Sequence, residues 1–585
     1  MNPNRVADLD YHRLSRYDKS RDTALTANNQ IRVALLSNAA TQQFVPVLRN
    51  LFAANGMTAA IYEAPFDAIE LQVLDAASEL YRFAPHVVFI LTATQALRSS
   101  YYEGRAPSEV ERLCRVWDAL ASNGIAQVVQ ANFALPYERP FGQYDLKHGQ
   151  SFYRAVQQLN SDMARQTVER RGVFICDVES VASYVGRGTW FDDRLWDIGK
   201  TFCNLEHLPK VCQALIDIVL AGQGRAIKCV IVDLDDTLWG GIVGDAGPMG
   251  IEIGRHGPGE PFHRFQQYLL TLKSRGILLA VCSKNNIDNV LAAFEQNPEM
   301  VLRRPDFSAF VANWNNKAEN IRAIQEQLNI GFDSLVFLDD NPFERNLIRR
   351  LLPEVVVPEL PTDPAEYVRC ICELNLFECT AVSKEDEQRS ELYLQEMKRQ
   401  ELRQSYTDIT DYLRSLDMRI TVERFSSPKL ARIAQLFQRS NQFNLTTQRH
   451  SESDCARMME DSAACIPLCA SLVDAYGDYG LISIVVAWIE RDALLLSDWL
   501  MSCRVLGRGV EQYLMNRVVE IAKDNGLQVI KGEYRATTKN ALVKNFWSDF
   551  GFQSTDGATW ILPIKDYAAK VVLIQEASAV ASCVA

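Results

Sequence analysis

The chain has 585 residues, 48% of them hydrophobic and 23% charged. That is room for about three or four domains with cores of their own, and the composition excludes a chain disordered over most of its length. Its 61 basic residues against 73 acidic ones leave a net charge of −12, which excludes a protein built mainly to hold nucleic acid through phosphate contacts.

No apolar run reaches the roughly 18 residues of a membrane span. The opening MNPNRVADLDYHRL lacks the apolar core of a signal peptide. A cytoplasmic protein with no membrane partner is therefore expected. Its 14 cysteines are too few for a disulfide scaffold in a chain of this length. Cys370 with Cys372, and Cys465 with Cys469, lack a second pair at zinc spacing and read as small apolar residues.

Residues 1–29 are polar and irregular. IRVALLSN, from Ile31, reads as a buried strand ending in a turn, and a helical pattern follows around Phe44 to Ala54. HVVFILTAT (86–94), AQVVQANF (126–133) and GVFICDV (172–178) are three further buried strands with helical patterns between them. Such alternation predicts a parallel sheet covered on both faces over 30–222. A second doubly wound unit is expected over 227–378. Its strands CVIVDLDD, GILLAVCSKNN and SLVFLDDNP each end in polar or charged residues, and the proline-bearing stretch 353–364 closes it. Residues 379–415, including KEDEQRSELYLQEMKRQ, read as a helical linker. The last unit, 416–566, has strand signals at LISIVVAWI, ALLLSDWLMS and QVIKGEY and a helix after Gly509. A small, apolar tail, 567–585, follows. The fold class is α/β and multidomain: two doubly wound, Rossmann-like domains, then an α+β domain.

The strongest chemical signal is VIVDLDDTLWGG. Two carboxylates two residues apart, just past a strand end, can turn toward one pocket. Asp233 is then a candidate nucleophile toward phosphorus. Asp235 is a candidate general acid, and base toward water. A carboxylate and an anionic phosphate repel each other, so the site calls for Mg²⁺. Thr237 and Ser283 are candidate phosphate-binding hydroxyls, and Lys317, in NWNNKAENI, a candidate neutralising cation. Asp339 and Asp340 can complete a magnesium shell with Asp233 and Asp235. Each piece alone has a plain structural reading: turn chemistry for the aspartates, a helix cap for Ser283, a surface residue for Lys317. Their order on successive strand ends points to one pocket.

These motifs resemble the haloacid dehalogenase (HAD) superfamily of aspartate-nucleophile phosphotransferases. DLDDTLWGGIVGD, LLAVCSKNN and FLDDNPFER resemble more closely its FkbH-like branch, and the resemblance extends over nearly the whole chain. It implies an enzyme that takes 1,3-bisphosphoglycerate, removes both phosphates and leaves a glyceryl thioester on the phosphopantetheine arm of an acyl carrier protein. That carrier would belong to a polyketide or nonribosomal peptide assembly line. It also implies Asp233 as nucleophile, Asp235 as general acid and base, Ser283 and Lys317 as phosphate ligands, and Asp339 with Asp340 as magnesium ligands.

Only 50 residues separate Asp233 from Ser283, and 34 separate Ser283 from Lys317. That is too little for the core elements plus a large lid, so the site is expected to be open to a protein-tethered substrate, with water excluded by a neighbouring domain or a partner. Cys282 stands beside Ser283, which leaves an acyl-cysteine intermediate as an alternative. Alternation along the strand instead points Cys282 away from Ser283, as a packing residue.

In the last unit, Arg504-x-x-Gly507-Arg508-Gly509 precedes a helical pattern. Glycines let backbone N–H groups approach a pyrophosphate at a helix N-terminus. With KNALVKNFWSDFGF, which holds Asn540, it resembles the acyl-CoA loop and closing segment of GCN5-related N-acetyltransferases (GNAT). The resemblance implies a cleft for CoA or a carrier's phosphopantetheine, lined by Arg504, Gly507, Arg508, Gly509 and Asn540. Trp547 stands where many of those enzymes place a tyrosine acid, which puts acetyl transfer in doubt. NQFNLTT (441–447) also matches the FkbH-like family, with no physical role evident in the sequence.

The first domain resembles SGNH hydrolases. Its turn reads Ser37-Asn38-Ala39 and no histidine stands near Asp193. Without a base Ser37 is an ordinary alcohol, so a noncatalytic docking or dimerising domain is expected, with His86, His148 and His207 structural. Three other readings stay open: a magnesium-dependent HAD phosphatase on another phosphorylated metabolite, an acyl-CoA-dependent GNAT acyltransferase, and a noncatalytic carrier-docking scaffold.

Overall fold

The computed structural model describes residues 10–16, 30–103, 109–225, 227–380, 395, 399, 402–403, 406, 408–440, 443–537 and 540–577. They divide into two compact units, one within 1–222 together with 377–380, the other within 223–376 and 381–585. Most of the expected linker, including KEDEQRSELYLQEMKRQ apart from two of its residues, lies outside the described residues, as do 1–9, 17–29 and 578–585. Among the described residues no helix is long and apolar enough to cross a membrane.

The first unit is built on five parallel strands, β1 (Gln30–Ser37), β2 (Thr58–Glu63), β3 (Val87–Leu91), β4 (Val128–Ala131) and β5 (Val173–Cys176), in the order β2-β1-β3-β4-β5. Alternation along β1 explains why its run is apolar throughout. Val33 and Leu35 face the helices Phe44–Ala54 and Leu208–Gly222. Ala34 and Leu36 face Glu109–Ser122 and Phe152–Thr167. Ser37 ends β1 buried, donating to the Leu91 carbonyl at 2.8 Å and accepting from the Ala39 N–H at 2.9 Å. Asp193 accepts from the Tyr137 hydroxyl at 2.6 Å. His86 accepts the Arg32 N–H, and His207 lies 3.3 Å from the Thr189 hydroxyl. None of these contacts joins a base to Ser37.

The second unit opens on four parallel strands, β6 (Cys229–Val232), β7 (Leu278–Ser283), β8 (Ala309–Ala312) and β9 (Leu335–Leu338), ordered β8-β7-β6-β9. Every residue of β6, β7 and β9 is buried. Strand order reverses between β6 and β9, and such a crevice at the carboxyl ends is where open α/β sheets bind ligands.

The rest of the unit is an α+β arrangement on an eight-stranded, mainly antiparallel sheet. Its strands are β10 (Arg419–Arg424), β11 (Cys465–Asp474), β12 (Gly477–Glu490), β13 (Ala493–Met501), β14 (Val529–Glu533), β15 (Gln553–Ser554), β16 (Thr559–Pro563) and β17 (Gln575–Glu576). β17 lies in the stretch expected to be tail and pairs in parallel with β10. β13 and β14 run parallel and pair only from Ala493 with Val529 to Leu496 with Gly532. Beyond that point the two strands part.

Candidate active site at the carboxyl ends of β6 and β9

The Asp233 N–H donates to the Leu338 carbonyl at 2.9 Å, which carries the β6–β9 ladder one residue past the strand. The chain then turns sharply. Asp236 takes φ 54°, in the left-handed region that Asp tolerates better than most residues. Its carboxylate accepts the Gly241 N–H at 2.7 Å, and Tyr367 donates its hydroxyl to the Asp236 carbonyl. This loop sets Asp233, Asp235 and Thr237 over the strand ends.

Asp233, Asp339 and Asp340 each offer a carboxylate oxygen within 4.8 Å of the others. Asp339 is 0% exposed and Asp233 8%. Lys317, 2% exposed, reaches both, at 2.9 Å to Asp233 and 2.5 Å to Asp339. Burial alone would lower the Lys317 ammonium, but the two carboxylates outweigh it and hold the pKa above its usual value. Asp339 is pushed up, by burial first and then by Asp233, with Lys317 opposing. One ammonium thus faces two buried acids, with the half-buried Asp340 beside them. The Oδ1 of Asp233 is buried with no hydrogen-bond partner, a costly state for a carboxylate oxygen. An all-oxygen donor set with an unsatisfied member and excess negative charge fits a hard divalent cation such as Mg²⁺.

Thr237 is fully buried. Its hydroxyl donates to Asp340 Oδ1 and accepts the Asp340 N–H, both at 3.0 Å. The sequence assigned it to phosphate; with its one donor engaged, it positions Asp340 instead. Asp235 also differs from the sequence reading. Its carboxylate accepts from Trp239 Nε1 (2.9 Å), the Val243 N–H (3.1 Å) and Asn285 Nδ2 (2.8 Å), and it is not part of the cation cluster. Asn285 is oriented because its own oxygen accepts the Asn286 N–H. Asp235 is thus held by three donors, apart from the three-acid group.

Ser283 ends β7 beside this group. Cys282 faces the other way, into a core with Cys229, Ile231 and Phe337. It is fully buried, burial raises its thiol, and its Sγ lies 3.8 Å from the Lys317 carbonyl. A thiolate nucleophile needs exposure and a lowered pKa, so the catalytic assignment of Cys282 is corrected to packing.

Several residues that the motif reading passed over build the walls. Arg345, buried, donates to the carbonyls of Asp339 (2.8 Å) and Asp340 (2.6 Å) and pairs with Glu359. Lys284 pairs with the buried Glu344 at 2.6 Å. Their signal lies in the motif words themselves, SKNN and DDNPFER, where neighbours of the catalytic letters are also polar. Between β6 and β7 the chain adds the helices Val243–Ala246 and Glu260–Ser274. Between β7 and β8 it adds the helix Ile287–Gln296 and a short turn, Arg304–Asp306. None is a separate folded cap.

The C-terminal candidates do not converge. Gly507 (φ 71°) and Gly509 (φ 86°) form the left-handed loop before the helix Val510–Asp524, and Arg504 donates to the Tyr479 carbonyl. Arg508 turns inward against Tyr479, 3.7 Å from the buried Asp474. Asn540 is 0% exposed; it donates to the carbonyls of Asn444 and Arg535 and accepts the Thr537 N–H. Both are corrected from ligand-binding to structural residues. Trp547 donates to the Glu533 carbonyl and packs on Gly532, so no acid replaces the missing tyrosine there.

The family model described as FkbH, N-terminal domain, matches residues 32–220. The N-terminal part of protein BF1531 from Bacteroides fragilis, which contains a phosphatase domain and was solved with Mg, is 37% identical. The match covers 64% of this chain and 98% of that one, with a TM-score of 0.59. The ribosomal-protein-S18-alanine N-acetyltransferase of Escherichia coli is 16% identical over 25% of this chain and 94% of its own, with a TM-score of 0.20. The PaiA N-acetyltransferase of Thermoplasma acidophilum, solved with coenzyme A, is 14% identical over 24% and 96%, also at 0.20. No curated protein matches the chain.

Proposed function

The chain belongs to the FkbH-like family, whose phosphatase unit has the HAD fold, and we propose that it is a Mg²⁺-dependent enzyme that dephosphorylates 1,3-bisphosphoglycerate and loads the glyceryl unit onto an acyl carrier protein. The acceptor is the carrier's phosphopantetheine thiol, in a polyketide or nonribosomal peptide assembly line. The observation that carries the phosphatase half is the cluster of Asp233, Asp339 and Asp340, the first two buried and paired with Lys317, with an unsatisfied Asp233 oxygen. The absence of a cap among the described residues around the strand ends supports a tethered acceptor.

Asp233, Asp339 and Asp340 would hold the cation, which when bound neutralises phosphate charge and polarises the phosphoryl group. Asp233 attacks the 3-phosphate; an O–P bond forms to the carboxylate as the bond to the substrate oxygen breaks. Asp235 gives that oxygen its proton, then takes a proton from the water that releases phosphate from Asp233. Lys317 holds Asp233 and Asp339 in place. The carrier thiol attacks the acyl phosphate, forming C–S and breaking C–O, with the second phosphate leaving.

Burial raises the Asp235 carboxyl, while hydrogen bonds from Val243 and Trp239 oppose it. An acid raised in the folded state keeps its proton after the unfolded chain has lost it. Between the two pKa values the folded state binds more protons, so Asp235 costs stability as pH rises through that window. The acid step fails over the same direction. Asp235→Asn is expected to lower turnover by about 10²–10⁴-fold and to remove the alkaline fall contributed by this group, read as a pH–rate profile beside urea melts.

Phosphate release from 1,3-bisphosphoglycerate, with and without a phosphopantetheinylated carrier, tests the proposal. Two phosphates per glyceryl group transferred is the expected result. Equal release with no carrier present would replace it with a phosphatase acting on free metabolites.

A further inference from the structure

Where two parallel strands part, the inner edge of each presents unpaired backbone groups, and an arm with two amides can add there as a strand does. The parting of β13 and β14 is therefore where a pantetheine arm would lie. It is already filled. The Leu445 N–H donates to the Trp499 carbonyl and the Met501 N–H to the Phe443 carbonyl, both at 3.0 Å, around an antiparallel bridge between Asn444 and Leu500. On the other side the Arg535 N–H, just past β14, donates to the Leu445 carbonyl at 2.8 Å.

Side chains lock this segment. Phe443 packs edge-on to Phe546, and Leu445 sits in the same core. Asn540 donates to the Asn444 carbonyl, and the Thr446 hydroxyl donates to the buried Asp498 at 2.9 Å. Thr447 leaves the groove at φ 55°, a conformation that strains a β-branched residue and persists only where its surroundings impose it.

The loop that would take the pyrophosphate is also answered from within. Glu511, in the first turn after Gly509, has a buried Oε2 with no hydrogen-bond partner. Burial raises its carboxyl, with the N–H groups of Glu511 and Gly507 opposing.

We infer that residues 443–447 act as a built-in strand that closes the β13–β14 groove, so that neither CoA nor a carrier's pantetheine arm is held there. The carrier-loading chemistry then has no second site in this sheet, and the GNAT-like region serves as a structural unit. The inference stands on backbone pairing and is independent of the phosphatase reading.

Equilibrium dialysis of the full chain with radiolabelled acetyl-CoA, beside amide exchange over 443–447 with and without acetyl-CoA or free pantetheine, tests it. The expected result is slow exchange at 443–447 that neither ligand changes, and no saturable binding. Saturable binding with unchanged exchange would put the ligand elsewhere and leave the closure standing. Saturable binding with faster exchange at 443–447 would overturn the inference, and so would fast exchange there in the free protein.

Discussion

Asp233→Asn is expected to abolish release of the 3-phosphate, by a factor on the order of 10³ or more, while leaving a folded protein. The amide removes the nucleophile and one oxygen donor to the cation at once. Two features argue that the fold survives. The Asp233 backbone, not its side chain, continues the β6–β9 ladder. Asp339 still faces Lys317 at 2.5 Å, so the ammonium keeps a buried partner. Loss of activity with an unchanged melting curve is the combination to look for. Asp339→Asn should differ: it also removes a group that is 0% exposed and accepts the Asn341 N–H, so both activity and stability should fall.

Lys317→Met is the complementary case, and its largest effect is on stability. Removing one partner from a buried ionic cluster costs about 3–5 kcal/mol. Here Asp233 and Asp339 would be left facing each other without a cation, both buried. For a folded unit of roughly 150–250 residues, each kcal/mol shifts Tm by about 2–4 °C, so a fall of about 6–20 °C is expected. Mg²⁺ should return part of that loss, because a bound cation takes over the neutralisation that the ammonium supplied. Melting curves with Mg²⁺ and with EDTA read this directly. A variant as stable as the wild type in EDTA would show that Lys317 does not carry the cluster.

The aspartate site was legible because its parts sit where strand patterns end. VIVDLDD, LLAVCS and SLVFLDD announce both the strands and the residues just beyond them, and β6, β7 and β9 are buried on both faces, so the apolar runs are unbroken. Side-chain direction was harder to read. Cys282 and Ser283 are adjacent letters, and only the pleat separates a core thiol from a site hydroxyl. Thr237 looks like a phosphate ligand until Asp340, 103 positions away, is found on its hydroxyl.

In the C-terminal sheet the letters of a ligand cleft are present, but their contacts run inward. Arg508 and Asn540 are polar residues in a motif that elsewhere faces a ligand, and here Tyr479, Asp474 and the backbone of Asn444 and Arg535 take them. NQFNLTT had no periodicity to give it away. A short segment with a single bridge residue, Asn444, shows itself only through partners at Trp499, Leu500 and Arg535, far along the chain. β17 was likewise hidden in an apolar tail, since two paired residues are too few for any pattern.

The most direct test of the account is the intact mass of a phosphopantetheinylated carrier protein after incubation with this enzyme, Mg²⁺ and 1,3-bisphosphoglycerate, with Asp233→Asn in parallel. A mass gain matching an unphosphorylated glyceryl group is expected with the wild type, and no gain of that mass with the variant. The same gain with Asp233→Asn would contradict it.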